Sequence, residues 1–166
     1  MRVLGIDPGI SGAIALFDTA QKQLAVCDMP SVSFTKNQRK RRVISEIDLV
    51  YVIDLWTPDV AYLEAVHAMP KQGVTSVFTF GMAFGVVRGI LAALAVPTHL
   101  VTPNEWKRSL RLGSDKQEAR LLASRLFPQS APYFSRVCDA DRAEAALLAL
   151  FGAQSAAQHN KTNCLV

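Results

Sequence analysis

The sequence is short of cysteine, of uninterrupted apolar runs and of net charge, and each shortage removes a class of protein. Three cysteines occur in 166 residues, Cys27, Cys138 and Cys164, and none forms a CxxC pair. They supply neither a zinc cage nor a disulfide framework, so a reducing compartment is expected. The longest apolar region, residues 69–95, is interrupted by Lys71, Gln72 and Arg88, and no membrane span is expected. No signal-peptide pattern precedes the first strand, which points to a cytoplasmic location rather than export. There is no internal repeat. Half the residues are hydrophobic, enough for a full core. One compact domain is expected over residues 1–154, with a polar, frayed tail over 155–166.

The net charge is only +4, but the cations are clustered. Residues 36–42, KNQRKRR, carry five cations in seven positions. A second basic region holds Lys107, Arg108, Arg111, Lys116, Arg120 and Arg125. Such clusters suit a polyanion, and a solvated loop or helix face is the alternative for each.

The opening residues, MRVLGIDPGISGAIALFD, read as strand, tight turn and strand. Strands are expected over 2–7, 13–18 and 23–28 as an antiparallel meander, followed by a polar, basic loop over 29–42. Helical spacing through Ile47, Val50, Tyr51 and Leu55 predicts a helix over 45–56. A short buried strand over 60–63 delivers Glu64. A helix over 74–95 carries Gly81, Gly85 and Gly89 on one smooth face. Three helix-interior glycines suggest close packing against the sheet or a partner subunit. Another strand spans 97–101. Thr102 and Pro103 start a helix, Ser114 is expected to cap a second, running to 127, and a last one covers 139–154. The order predicts a mixed α/β sheet with helices on its faces.

Four acids stand out. Asp7 and Glu64 each end a strand, and if those strands are parallel neighbours both carboxylates emerge at one edge. Asp141 and Glu144 lie three apart at the start of an apolar helix that must dock on the sheet. Each acid has an ordinary reading: a turn cap for Asp7, a solvated strand end for Glu64, dipole-complementing charges for the helix pair. Together they repel unless a cation neutralises them, and an oxygen-only set suits Mg2+ or Mn2+. Two such ions roughly 4 Å apart are a known clamp for phosphodiester cleavage.

These segments resemble the RuvC family of Holliday-junction resolvases, in the ribonuclease H-like superfamily. The likeness rests on GIDPGISGAIAL, YLEAVHAMPKQGVTSVFTFG, LVTPNEWKRSLRLGSDKQEA and DADRAEAALLAL, in matching order. The HAMPKQGVTS form is more similar to phage and prophage members. The resemblance implies a ribonuclease H-like fold with a mixed five-stranded sheet, three strands antiparallel and two parallel. It implies that Asp7, Glu64, Asp141 and Glu144 are the catalytic metal ligands for two Mg2+ ions, with Mn2+ able to substitute. A homodimer on four-way or branched DNA is implied, making paired nicks with 5′-phosphate and 3′-hydroxyl ends. Lys107 and Lys116 match the family's basic DNA contacts. Arg39, Lys40, Arg41, Arg42, His67, Lys71, Gln72 and Arg108 are further expected DNA contacts.

Two positions depart from the family pattern. Its fourth acid is commonly aspartate, whereas Glu144 matches here and Asp139 lies nearby. His67 stands where the bacterial enzyme has an aromatic wedge, so looser junction selectivity is expected. Alternatives are a related nuclease acting on RNA or RNA–DNA hybrids, or a non-catalytic branched-DNA-binding module. GIDPGISGAIAL also resembles the phosphate loop of actin-like ATPases, but those need two such domains, and this chain supplies one.

Overall fold

The computed structural model describes all residues except Asn37, 66–71, Ser114 and 164–166; it describes no side chains for Lys36, Arg39 and 159–163. Five strands form the main sheet: β1 (Arg2–Ile6), β2 (Ala13–Asp18), β3 (Gln23–Asp28), β6 (Val60–Glu64) and β7 (Thr98–Val101), in the order β3-β2-β1-β6-β7. The first three strands are antiparallel neighbours, while β6 runs parallel to both β1 and β7. This is the expected mixed sheet. Ile6 pairs with Leu63, so Asp7 and Glu64 follow side by side at the same sheet edge.

Strand alternation divides the core between two faces. On one face, Val3, Ala13, Ala15, Phe17, Tyr62 and Val101 pack with α3 (Pro103–Ser109), α4 (Lys116–Leu126) and α5 (Ala140–Asn163). On the other, Leu4, Ile6, Ile14, Leu16, Ala61 and Leu63 pack with α1 (Glu46–Trp56) and α2 (Val74–Ala93). Gly5 explains why α5 lies so close. A Cβ there would sit 2.2 Å from the Ala145 carbonyl oxygen and 2.4 Å from the Ala149 nitrogen. The alanines of α5 and the bare Gly5 backbone let helix and sheet touch, which carries the helix start to the sheet edge.

Several expectations are corrected. The presumed loop over 29–42 contains a second, two-stranded sheet, β4 (Ser31–Lys36) with β5 (Arg39–Ile44). Its polar, basic sequence hides the strands because only Ile44 of β5 is buried. In α1 the core contacts come from Leu49 and Ile53, while the stripe read from the sequence, Ile47, Tyr51 and Leu55, is exposed. The last helix continues past residue 154 to Asn163, into the segment expected to fray. Asp115 is the N-cap of α4, its carboxylate accepting from the Gln117 N–H at 2.8 Å, one residue beyond the expected Ser114.

Helix α2 is long and apolar enough to cross a bilayer by length and composition, contrary to the reading of residues 69–95. It lies on the sheet through Ala83, Val87, Ile90 and Leu91. Gly81, Gly85 and Gly89 face the opposite way, with nothing within 4 Å of a Cβ at any of them. Packing of that glycine face against the sheet is therefore excluded.

Candidate active site

Four elements converge at the carboxyl end of β1 and β6. Asp7 follows β1 and enters a tight turn in which its N–H donates to the Ala13 carbonyl at 3.0 Å. Gly12 closes that turn: a Cβ there would lie 2.3 Å from the Asp7 carbonyl oxygen. The Asp7 Oδ1 accepts from the Gly9 N–H at 3.2 Å, which aims the carboxylate. Glu64 is the last residue of β6, and Asp141 and Glu144 occupy the first turn of α5.

Ligand oxygens of Asp7, Asp141 and Glu144 all lie within 4.8 Å of one another. Glu64 stands beside this trio, its Oε1 accepting from the indole Nε1–H of Trp106 at 3.0 Å. Two lysines face the acids. Lys107 Nζ donates to Glu144 Oε1 at 2.6 Å, and Lys116 Nζ donates to Asp141 Oδ1 at 2.7 Å. The Lys107–Glu144 pair is the more enclosed, whereas Lys116 is largely exposed.

The electrostatics are those of crowded anions. Burial, then the charge of Glu64, pushes the Asp7 carboxyl up to about 7, with Asp141 and Glu144 adding to the effect and the Gly9 N–H opposing it. Burial also raises Glu64, while the Trp106 hydrogen bond draws it down. The hydrogen bond to Asp141 raises Lys116, with desolvation opposing it. A site of this kind favours a cation over protons. Its donors are all carboxylate oxygens, which fits hard divalent ions such as Mg2+ and does not fit a thiolate- or imidazole-seeking metal.

Asp139 stays apart from this group. It is 2% exposed and bound to Arg136, Nη2 to Oδ1 at 2.7 Å, with the Arg136 N–H donating to Oδ2 at 2.8 Å. The Arg136 guanidinium holds its carboxyl below the usual carboxylate range. Arg142 reaches Asp139 at 3.5 Å and grips Asp28 at the end of β3 through two bonds of 2.5 and 2.7 Å. This network fixes the α5 start against the sheet and occupies the acid nearest in sequence to the trio.

The expected DNA contacts fall into three groups. Lys40, Arg41 and Arg42 are exposed on β5, where Arg39 also lies. Arg42 is tied back to the site's own turn, donating to the Ile10 carbonyl at 3.2 Å and to Ser31 Oγ at 2.7 Å. Lys107 and Arg108, with Arg111, line a hollow of about 680 Å³ on the α3–α4 side, and Lys116 follows it. Gln72 lines a surface hollow with Ile10 and Ser11. His67 and Lys71 lie outside the described residues. Arg120 leaves the basic region: it is 9% exposed and its guanidinium is spent on the Phe134 and Ser135 carbonyls and on Gln117. Trp106 escapes sequence reasoning, because a tryptophan in a short helix carries only the signal of a core residue.

The family model for crossover junction endodeoxyribonuclease RuvC matches residues 3–140, ending one position before Asp141. No curated protein sequence matches the chain. Among solved structures, Thermus thermophilus RuvC bound to a Holliday junction substrate is similar at 18% identity and a TM-score of 0.63, covering 93% of this chain and 96% of that one. Thermus thermophilus RuvC is similar at 20% identity and 0.59, covering 94% and 97%. The yeast mitochondrial Holliday junction resolvase is similar at 18% and 0.58, covering 99% and 84%. At such identities the structures speak for the fold, and the family match extends over most of the chain: the protein belongs to the RuvC family of crossover junction endodeoxyribonucleases.

Proposed function

We propose that this chain is a divalent-metal-dependent endonuclease that resolves Holliday junctions and related branched DNA. The observation that supports it most is the meeting of Asp7, Asp141 and Glu144 within 4.8 Å, with Glu64 alongside, at a sheet edge flanked by Lys107, Arg108 and Lys116. Asp7, Glu64, Asp141 and Glu144 would hold two Mg2+ ions, with Mn2+ as a substitute. Divalent ions bound there supply the positive charge that favours attack of water on phosphorus and departure of the 3′ oxygen.

The chain's own residues supply the rest. The carboxylates set the position and orientation of that charge. Lys107 and Lys116, which neutralise two of the acids, are within reach of a phosphate brought to the same place. Arg108 on the same side, and Lys40 and Arg41 on the β4–β5 hairpin, extend a cationic track for flanking duplex. Cleavage with inversion at phosphorus would leave 5′-phosphate and 3′-hydroxyl ends.

Paired nicks on a four-way junction need two sites. The second copy would dock on the outward faces of α1 and α2, where Ile47, Tyr51, Leu55, Phe78 and Met82 are exposed beside the open glycine stripe. Cleavage of a synthetic four-way junction in Mg2+, beside linear duplex, forked DNA and RNA–DNA hybrid of matched sequence, tests the reading. Symmetric nicks in the junction are expected. Preferential cutting of the hybrid would instead favour a ribonuclease, and binding of the junction without cutting a non-catalytic module.

A further inference from the structure

Glu64 differs from the other three acids in what touches it. Asp141 and Glu144 are bound by lysine ammonium groups, charged and displaceable donors. Glu64 is bound by a neutral, immovable one: the indole of Trp106, fully buried in the core that also holds Val101, Ala143 and Leu147. Nothing about the position of that indole is loose. Thr102 caps α3, its hydroxyl accepting from the Glu105 N–H at 3.3 Å, and Pro103 begins the helix. The β7 strand leading into α3 is paired with β6, Glu64 itself standing opposite Val101. The strand that carries the acid and the helix that carries the donor are thus two parts of one rigid corner.

We propose that Trp106 is a positioning residue for Glu64, holding one carboxylate oxygen so that the other faces the ion site. The inference rests on the metal-dependent reading above. An indole N–H donates and never accepts, so it commits one lone pair of Oε1 and leaves Oε2 entirely to a cation. A glutamate side chain has three torsions to fix, and here a buried hydrogen bond selects among them before any ion arrives. The same indole carries Lys107 Nζ 5.1 Å from its ring centroid, and that ammonium pairs with Glu144. Successive residues of α3 therefore hold two acids from two different elements at a set separation. Partners that orient metal ligands commonly change affinity by about ten- to a hundredfold when removed.

The test is Mn2+ binding by calorimetry to the full chain without DNA, in the wild type, W106F, E64A and the W106F/E64A double variant, with thermal melting of each. W106F keeps the aromatic ring and loses the N–H. A loss of about tenfold or more in Mn2+ affinity is expected for W106F, and no further loss when W106F is added to E64A. A W106F protein that binds Mn2+ as the wild type does overturns the proposal. So does a W106F effect of equal size with and without Glu64, because that is packing alone. A second readout needs no altered tryptophan at 106. In protein labelled with 15N-tryptophan, the indole N–H of Trp106, assigned with W56F, should move in E64A; an unmoved signal contradicts the hydrogen bond. A chain that shows this coupling but leaves junctions uncut defeats the nuclease reading and leaves the positioning role intact. Absence of Mn2+ binding by the wild type overturns both.

Discussion

The two faces of the central sheet are finished to different degrees. Beneath α5 the packing is closed: Ala143, Ala145, Ala146, Leu147 and Ala149 are fully buried, and Gly5 meets helix backbone directly. Over α1 and α2 only one side of each helix is used. Leu49, Ile53, Val87 and Leu91 are buried, while Ile47 is 83% and Phe78 68% exposed on the outward side. The closed face sets the catalytic geometry, since α5 carries two acids to the edge where β1 and β6 deliver the others. The open face carries no site residue and more apolar surface than a monomer needs. Rigidity is concentrated where oxygens must meet, and apolar surface is left where a second copy would dock.

The largest expected effect is on chemistry at the closed face. Asp7→Asn removes one carboxylate from the cluster and should lower junction cleavage by about a thousandfold, several kcal/mol of transition-state stabilisation. Junction binding measured in Ca2+ should stay within a few-fold of the wild type. Retained cleavage would remove Asp7 from the site.

Glycine substitutions sharpen the contrast between faces. Gly5→Val forces a side chain into the Ala145 and Ala149 backbone and should cost about 3 kcal/mol or abolish folding, read by chemical denaturation. Gly85→Leu meets open space within the chain. It should leave the melting of the monomer nearly unchanged and shift sedimentation from dimer toward monomer. A dimeric, fully active Gly85→Leu protein would place the second copy elsewhere.

Smaller effects come from the lysines. Lys107→Ala and Lys116→Ala should each weaken junction binding by roughly tenfold and reduce the salt dependence by about one counterion. An unchanged salt slope would confine that lysine to pairing with its acid.

The mildest effect is a pH dependence confined to the metal-free protein. The Asp7 carboxyl sits at about 7 in the fold against 3.8 without it, so the folded state holds the proton more tightly. Its contribution is fully present below about pH 4 and is lost as pH rises through 7. Between pH 5 and 8 the melting temperature of wild type should therefore fall more than that of Asp7→Asn, and saturating Mg2+ should remove the difference.

Much of this was legible in the sequence. Local turn chemistry placed Asp7 after β1, and the three-residue spacing of Asp141 and Glu144 put them on one helix face. Adjacency of β1 and β6 was a topological expectation that the register bears out. What failed, failed for physical reasons. The β4–β5 hairpin has no buried face along most of its length, so alternation gave no signal. In α1 two apolar stripes coexist, and hydrophobic periodicity cannot say which one the sheet will take. Arg120 looked like any surface cation until its guanidinium met two carbonyls fourteen and fifteen residues away. Trp106 could not be linked to Glu64, because contact across 42 residues depends on how β7 turns into α3.

The central claim is that acids from β1, β6 and α5 share divalent ions at one point. Anomalous diffraction from crystals of the protein soaked in Mn2+ tests it most directly. Peaks bounded by Asp7, Glu64, Asp141 and Glu144, with the Lys107 and Lys116 ammonium groups displaced from their acids, are the expected result. Mn2+ bound elsewhere, with both lysines still paired and the cluster empty, would contradict it.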